Sequence, residues 1–199
     1  MYRIATNAIR YELIEKRSRF ITYLEPVTSR EAAMALLERL RLKYPDASHH
    51  CWAYIVGNPN SPTGLACSDD GGPSGSAGKP MLQILQYRAL GDVMAVVVRY
   101  FGGTKLGVGG LVRAYGAAVQ QAVEHADLVE QIPTISIELQ FAYSHEANVR
   151  HLLQGASASI VTCDYQGDVR LIAELAEENL PKLKASLENL TQGRVRIKI

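Results

Sequence analysis

The chain has 199 residues, 47% of them hydrophobic, with 21 basic and 20 acidic side chains and a formal charge of +1. That composition supplies real cores. It excludes a protein that coats nucleic acid through overall charge, because the basic and acidic residues divide 14 to 12 before residue 131 and 7 to 8 after it. No stretch approaches the roughly 18 apolar residues of a membrane span, and Met1–Asn7 lacks the apolar core of a signal peptide, so a cytoplasmic protein with no membrane partner is expected. The three cysteines, Cys51, Cys67 and Cys163, are widely spaced and form no CxxC pair, which argues against a disulfide framework or a zinc ribbon.

Arg10–Glu15 and Arg19–Leu24 alternate apolar and polar residues around the basic turn Lys16-Arg17-Ser18, which predicts a hairpin. Ser29 is placed to cap a helix through Ala32, Ala33, Leu36, Leu37 and Leu40, which Pro45 ends. A strand over His50–Val56, a loop at Gly57–Pro62 and a short strand over Leu65–Ser68 follow. Beyond the first glycine segment, Gly71–Gly78, a helix is predicted from Pro80 to about Arg88. The β-branched run Val93–Tyr100 predicts a buried strand. The second glycine segment, Gly102–Gly110, leads into a helix from about Gly109 to His125.

Pro133 marks a break in texture. Of the 16 glycines, 13 fall between Gly57 and Gly116, so the unusual backbone belongs to the part before that break. After it come a strand (134–142), a helix (144–154), two strands joined at Gly167-Asp168 (159–165 and 169–175), a helix (181–190) and a last strand (194–199). The order βαββαβ is that of the ferredoxin-like split unit. The chain is therefore read as α+β, with domains at 1–131 and 132–199.

The glycine segments fail the two standard nucleotide patterns. A P-loop through Gly78-Lys79 would need glycine where Pro73 stands and a hydroxyl where Pro80 stands. A dinucleotide fingerprint through Gly107 and Gly109 meets Val112 in place of its third glycine. No nucleotide cofactor and no metal centre is therefore predicted. A glycine-rich turn from a strand into a helix can still aim N–H groups at an anion, helped by the helix dipole, although glycine also serves simply to permit positive φ. The candidate anion ligands are Lys79, Arg99, Gly102, Gly103, Lys105, Gly109, Gly110 and Arg113, with His49, Ser68, Asp69 and Asp70 shaping the groove. Adjacent aspartates point to opposite sides of an extended chain and make a poor catalytic pair. Asp before Gly instead favours a turn whose carboxylate bonds nearby N–H groups. Cys51 reads as a core thiol, and Trp52, Tyr54, Tyr100, Phe101 and Tyr115 serve either as packing or as stacking surfaces for unpaired bases.

Taken in order, His49-His50-Cys51-Trp52-Ala53-Tyr54, Ser68-Asp69-Asp70-Gly71 through Leu82, Val97 through Gly107 and Gly109 through Tyr115, preceded by Lys16-Arg17-Ser18-Arg19-Phe20-Ile21, resemble the IMPACT family. The motifs span residues 16 to 120; the acidic residue frequent in the family at position 72 is Gly72 here. The resemblance implies a first domain similar to the βαβ fold of elongation-factor domain IV and related ribosomal proteins, and a ferredoxin-like second domain similar to domain V. Eukaryotic members regulate translation by competing for the activator of a stress-responsive kinase, a pathway absent from bacteria. What the resemblance implies here is a non-enzymatic, translation-linked protein that contacts RNA, a ribosome or a protein partner. An enzyme acting on a phosphorylated substrate and an adaptor without nucleic-acid contact stay open as alternatives.

Overall fold

A computed structural model describes residues 1–199, and the chain opens with a strand that its sequence pattern does not announce. This strand, β1 (Tyr2–Ala5), has only four residues. The hairpin follows as β2 (Ile9–Glu15) and β3 (Ser18–Pro26), joined through the two-residue loop Lys16-Arg17. Helix α1 (Arg30–Lys43) starts where Ser29 Oγ accepts a hydrogen bond from Ala32 N at 3.1 Å. Strands β4 (His49–Val56) and β5 (Gly64–Ser68) precede helix α2 (Gly78–Tyr87). Strand β6 (Val93–Tyr100), helix α3 (Gly107–Glu124) and strand β7 (Leu128–Gln131) complete the unit Met1–Gln131. Both α2 and α3 begin two residues earlier than expected, because glycines that read as loop enter the first helical turn.

The main sheet has the order β2-β3-β6-β4-β5, and every neighbouring pair is antiparallel. Strands β3 and β4 run parallel on either side of β6 and are linked through α1, which makes a split βαβ unit. Helix α1 covers one face, packing Leu36, Leu37 and Leu40 against Ile21, Met94, Val96 and Val98. Helices α2 and α3 cover the other, where Met81, Leu85, Tyr115 and Val119 meet Phe20, Ala53, Ala95 and Val97. Covered on both faces, β6 reads as an unbroken apolar run from Val93 to Val98 even though its pairing is antiparallel. Each fully buried side chain of this type stabilises the fold by about 1.5–3 kcal/mol. Strands β1 and β7 form a separate antiparallel ribbon, with Tyr2 opposite Gln131.

A buried histidine ring lies on the α1 side of the sheet. His50 is 7% exposed, its Nε2 has no hydrogen-bond partner, and burial lowers its pKa below the ordinary histidine value despite the pull of Asp70. A base with a depressed folded pKa leaves the unfolded chain binding more protons just below about pH 6.5. Stability is therefore complete above that pH and is lost as pH falls towards the folded value. The melting temperature is expected to drop between about pH 7.5 and 5, and His50→Phe is expected to flatten that slope. Identical slopes for the two proteins would remove His50 as the cause.

The unit Ile132–Ile199 contains β8 (Thr134–Phe141), α4 (Glu146–Gly155), β9 (Ser159–Gln166), β10 (Asp168–Ala176), α5 (Leu180–Thr191) and β11 (Arg196–Lys198). Its sheet order β11-β8-β10-β9, antiparallel throughout, is the ferredoxin-like βαββαβ arrangement. Val149, Leu153, Leu183 and Leu187 from the helices pack on Ile137, Leu139, Val169 and Leu171. The protein is a two-domain α+β fold. No helix is long and apolar enough to cross a membrane.

Candidate anion-binding site

The first glycine segment closes around a carboxylate of the chain itself. Asp69 Oδ1 accepts hydrogen bonds from Ala77 N and Gly78 N, each at 2.8 Å, and Oδ2 accepts from Gly75 N at 2.7 Å. Burial pushes the Asp69 pKa up, but those three N–H bonds and the nearby Lys79 charge outweigh it and hold the carboxyl below its ordinary range. The positive end of α2 is therefore already occupied by an internal anion. Gly78 is required by close approach, since a Cβ there would lie 2.7 Å from Ser68 N. Ser68 Oγ accepts from Asp70 N at 3.1 Å, which fixes the turn.

Asp70 faces away from Asp69 and serves the strands. Its Oδ2 accepts from His50 N at 2.7 Å and its Oδ1 from Arg41 Nη2 at 3.0 Å. His49 Nδ1 lies 2.9 Å from the Asp70 carbonyl, so Nδ1 carries the proton in that bond. Cys51 Sγ sits 3.2 Å from both the Asp69 carbonyl oxygen and the Tyr115 hydroxyl. Burial pushes the Cys51 thiol up to about 12 and also raises Cys67, so neither has the thiolate character of a nucleophile.

Strand pairing brings the two segments to one end of the sheet. His49 on β4 and Phe20 on β3 are both direct cross-strand partners of Arg99 on β6. Arg99 is 7% exposed, with its guanidinium carbon 5.6 Å from the Phe20 ring centre and 5.9 Å from that of Phe101. Its Nε has no partner. Gly102 lies against the backbone of Arg17 and Ser18, donating its N–H to Ser18 Oγ at 3.2 Å. Gly103 has φ +83° in open space. Helix α3 starts without a side-chain cap, and Lys105 and Arg113 stand exposed beside Gly109 and Gly110.

Two further cations belong here that the sequence offers as a turn and as part of the family motif, but not as anion ligands. Lys16 and Arg17, both exposed, have φ of 46° and 68°. A groove of about 280 Å³ runs between this turn and α3, lined by Leu13, Lys16, Leu106, Gly110 and Arg113 among others. The signal was a two-residue hairpin loop, but its place beside Gly102 depends on the β3–β6 pairing, which is not local. Lys79 remains apart from these cations in sequence and role, exposed in the first turn of α2 with its stem near Gly75.

The profile of the Impact N-terminal domain matches residues 16–123, and that of a domain of unknown function, DUF1949, matches residues 139–194. The chain is 40% identical over 182 residues to the IMPACT family member YigZ of Escherichia coli, covering 92% of this chain and 89% of the relative. Protein IMPACT-A of Xenopus tropicalis is 35% identical over 98 residues, 48% of this chain and 30% of its own length. A solved structure described as a hypothetical protein superposes with a TM-score of 0.67 at 38% identity, over 98% of this chain and 95% of that one. The first match begins at Lys16 and takes in the basic turn, both glycine segments and Arg99. With matches running through both units, the chain belongs to the IMPACT family.

Proposed function

We propose that the chain is a non-enzymatic regulatory protein linked to translation, and that its first domain grips the phosphate backbone of RNA, free or in the ribosome. The observation that carries this reading is the groove that Lys16 and Arg113 line together with Glu15 at the uncapped start of α3, with Arg17 next in the turn against Gly102 and Lys105 two residues before the helix. The chain is nearly neutral overall, so this patch is local and its field is not that of a general polyanion binder. The backbone of the turn supports a role beyond connection. Two residues with side chains hold left-handed φ where Asn-Gly would fit freely, at about 1 kcal/mol or more each. Such strain is retained where side-chain chemistry is needed. Membership of a family whose eukaryotic branch includes Protein IMPACT-A supports the link to translation control.

Phosphate contacts from a few cations give affinity that falls with salt, by roughly 0.7–0.9 logarithmic units per neutralised phosphate for each decade of salt. The variant Lys105→Glu/Arg113→Glu is expected to abolish co-sedimentation with ribosomes and the gel shift of single-stranded RNA at about 50 mM salt. Unchanged binding would sink the reading. A protein partner is the second reading, favoured by Phe101 and Val108, which are 51% and 57% exposed beside the cations. Pull-downs that survive nuclease treatment would favour the protein partner.

A further inference from the structure

We propose that Arg99 is the floor of a discrete oxyanion site at the end of β6, and that its ligand class is the phosphate monoester. A guanidinium has five N–H donors and is always charged. Here it is 7% exposed and flanked by the Phe20 and Phe101 rings, with Nε unpartnered and no carboxylate in ion-pair contact. The rings can meet the flat faces of the group, but not its N–H edge. A buried cation without a counter-ion is costly, and natural folds pair such groups or use them.

The local carboxylates are committed elsewhere, which is why Arg99 stands alone. Asp69 is held by Gly75, Ala77 and Gly78, and Asp70 by Arg41 and the His50 N–H. The Tyr115 hydroxyl, which accepts from Cys51 Sγ, feels the guanidinium's charge, and α3 begins without a side-chain cap. An oxyanion can use the planar fork of arginine and the helix dipole together. At 7% exposure, little of the group is open to a ligand. That suits a terminal phosphate, whereas an internal phosphodiester carries substituents on two sides. The inference shares the setting of the RNA reading but does not depend on it, because the cations invoked there are exposed and Arg99 is not.

The test follows the Arg99 Nε–H resonance of the full chain by ¹⁵N–¹H NMR, together with melting temperature at matched ionic strength. Inorganic phosphate and AMP are each expected to shift the resonance and raise the melting temperature, whereas adenosine and chloride do neither. A response to AMP alone would make the base part of the ligand; equal responses would mark the phosphate group itself, and both outcomes support the site. Arg99→Gln is expected to weaken phosphate binding roughly ten- to hundred-fold, the loss typical of a charge-assisted bond. A wild-type resonance that does not move with either phosphate overturns the proposal whether or not that variant folds, as does an undiminished phosphate-induced rise in melting temperature in Arg99→Gln. The RNA-deficient Lys105→Glu/Arg113→Glu protein is expected to keep the phosphate-induced shift, so failure of one reading does not hide failure of the other.

Discussion

Gly102→Ala is expected to destabilise the first domain by about 3 kcal/mol or more, the upper range for forcing an extra group into closed packing. The added Cβ would overlap the carbonyl carbon and oxygen of Arg17 and the nitrogen of Ser18, which are backbone atoms that no rotamer change can move. They belong to a turn already fixed on both sides by the β2–β3 ladder, with Lys16 and Arg17 in left-handed conformations. Ser18 is fully buried and accepts the Gly102 N–H, so separating the two segments also breaks that bond. Gly103→Ala is the matched control. Its φ of +83° imposes about 1–2 kcal/mol of backbone strain, but the new methyl meets nothing within 4 Å. Urea unfolding of the two variants reads the difference directly, and a Gly102→Ala midpoint near that of Gly103→Ala would refute the argument.

That contact shows where the sequence is informative and where it falls silent. Val93–Tyr100 is readable as a buried strand because its β-branched run is local, and so is Ser29 as a cap, because its partner is three residues away. The βαββαβ order of the second domain is likewise a succession of local patterns, and its sheet order follows from known handedness and pairing rules. The ribbon of β1 and β7 is not readable: four residues with weak alternation acquire strand identity only from a partner at the far end of the domain. The basic turn is a similar case. Its two cations are visible in the sequence, but only the pairing of Arg19 with Tyr100 carries them to the second glycine segment. Residue types within the site were legible, then, while their relations depended on non-local pairing.

Asp69→Ala is expected to cost about 3 kcal/mol, and the reason separates the two glycine segments from each other. Its carboxylate serves Gly75, Ala77 and Gly78, and the last two are the N-cap and the first residue of α2. Alanine would leave three donors without that acceptor and remove a negative charge from the positive end of the helix. Hydrogen bonds to a charged group contribute about 1.5–3 kcal/mol each, and partial rehydration of the exposed loop offsets some of the loss. Asp69→Asn should cost less, about 1–2 kcal/mol, because one oxygen can still accept while its amide opposes the third N–H. The pH dependence fixes the sign. The folded carboxyl titrates below its unfolded value, so its contribution is present above about pH 4 and is lost as pH falls through the folded pKa. The gap between wild type and Asp69→Asn in urea midpoint should therefore narrow on acidification below about pH 4. A gap that is constant with pH would mean that the charge contributes nothing, and that the first segment is held by its turn geometry alone. If the gap narrows, the first segment is a self-occupied anion nest, and the second, whose helix start has no internal carboxylate, is the one left open to a ligand.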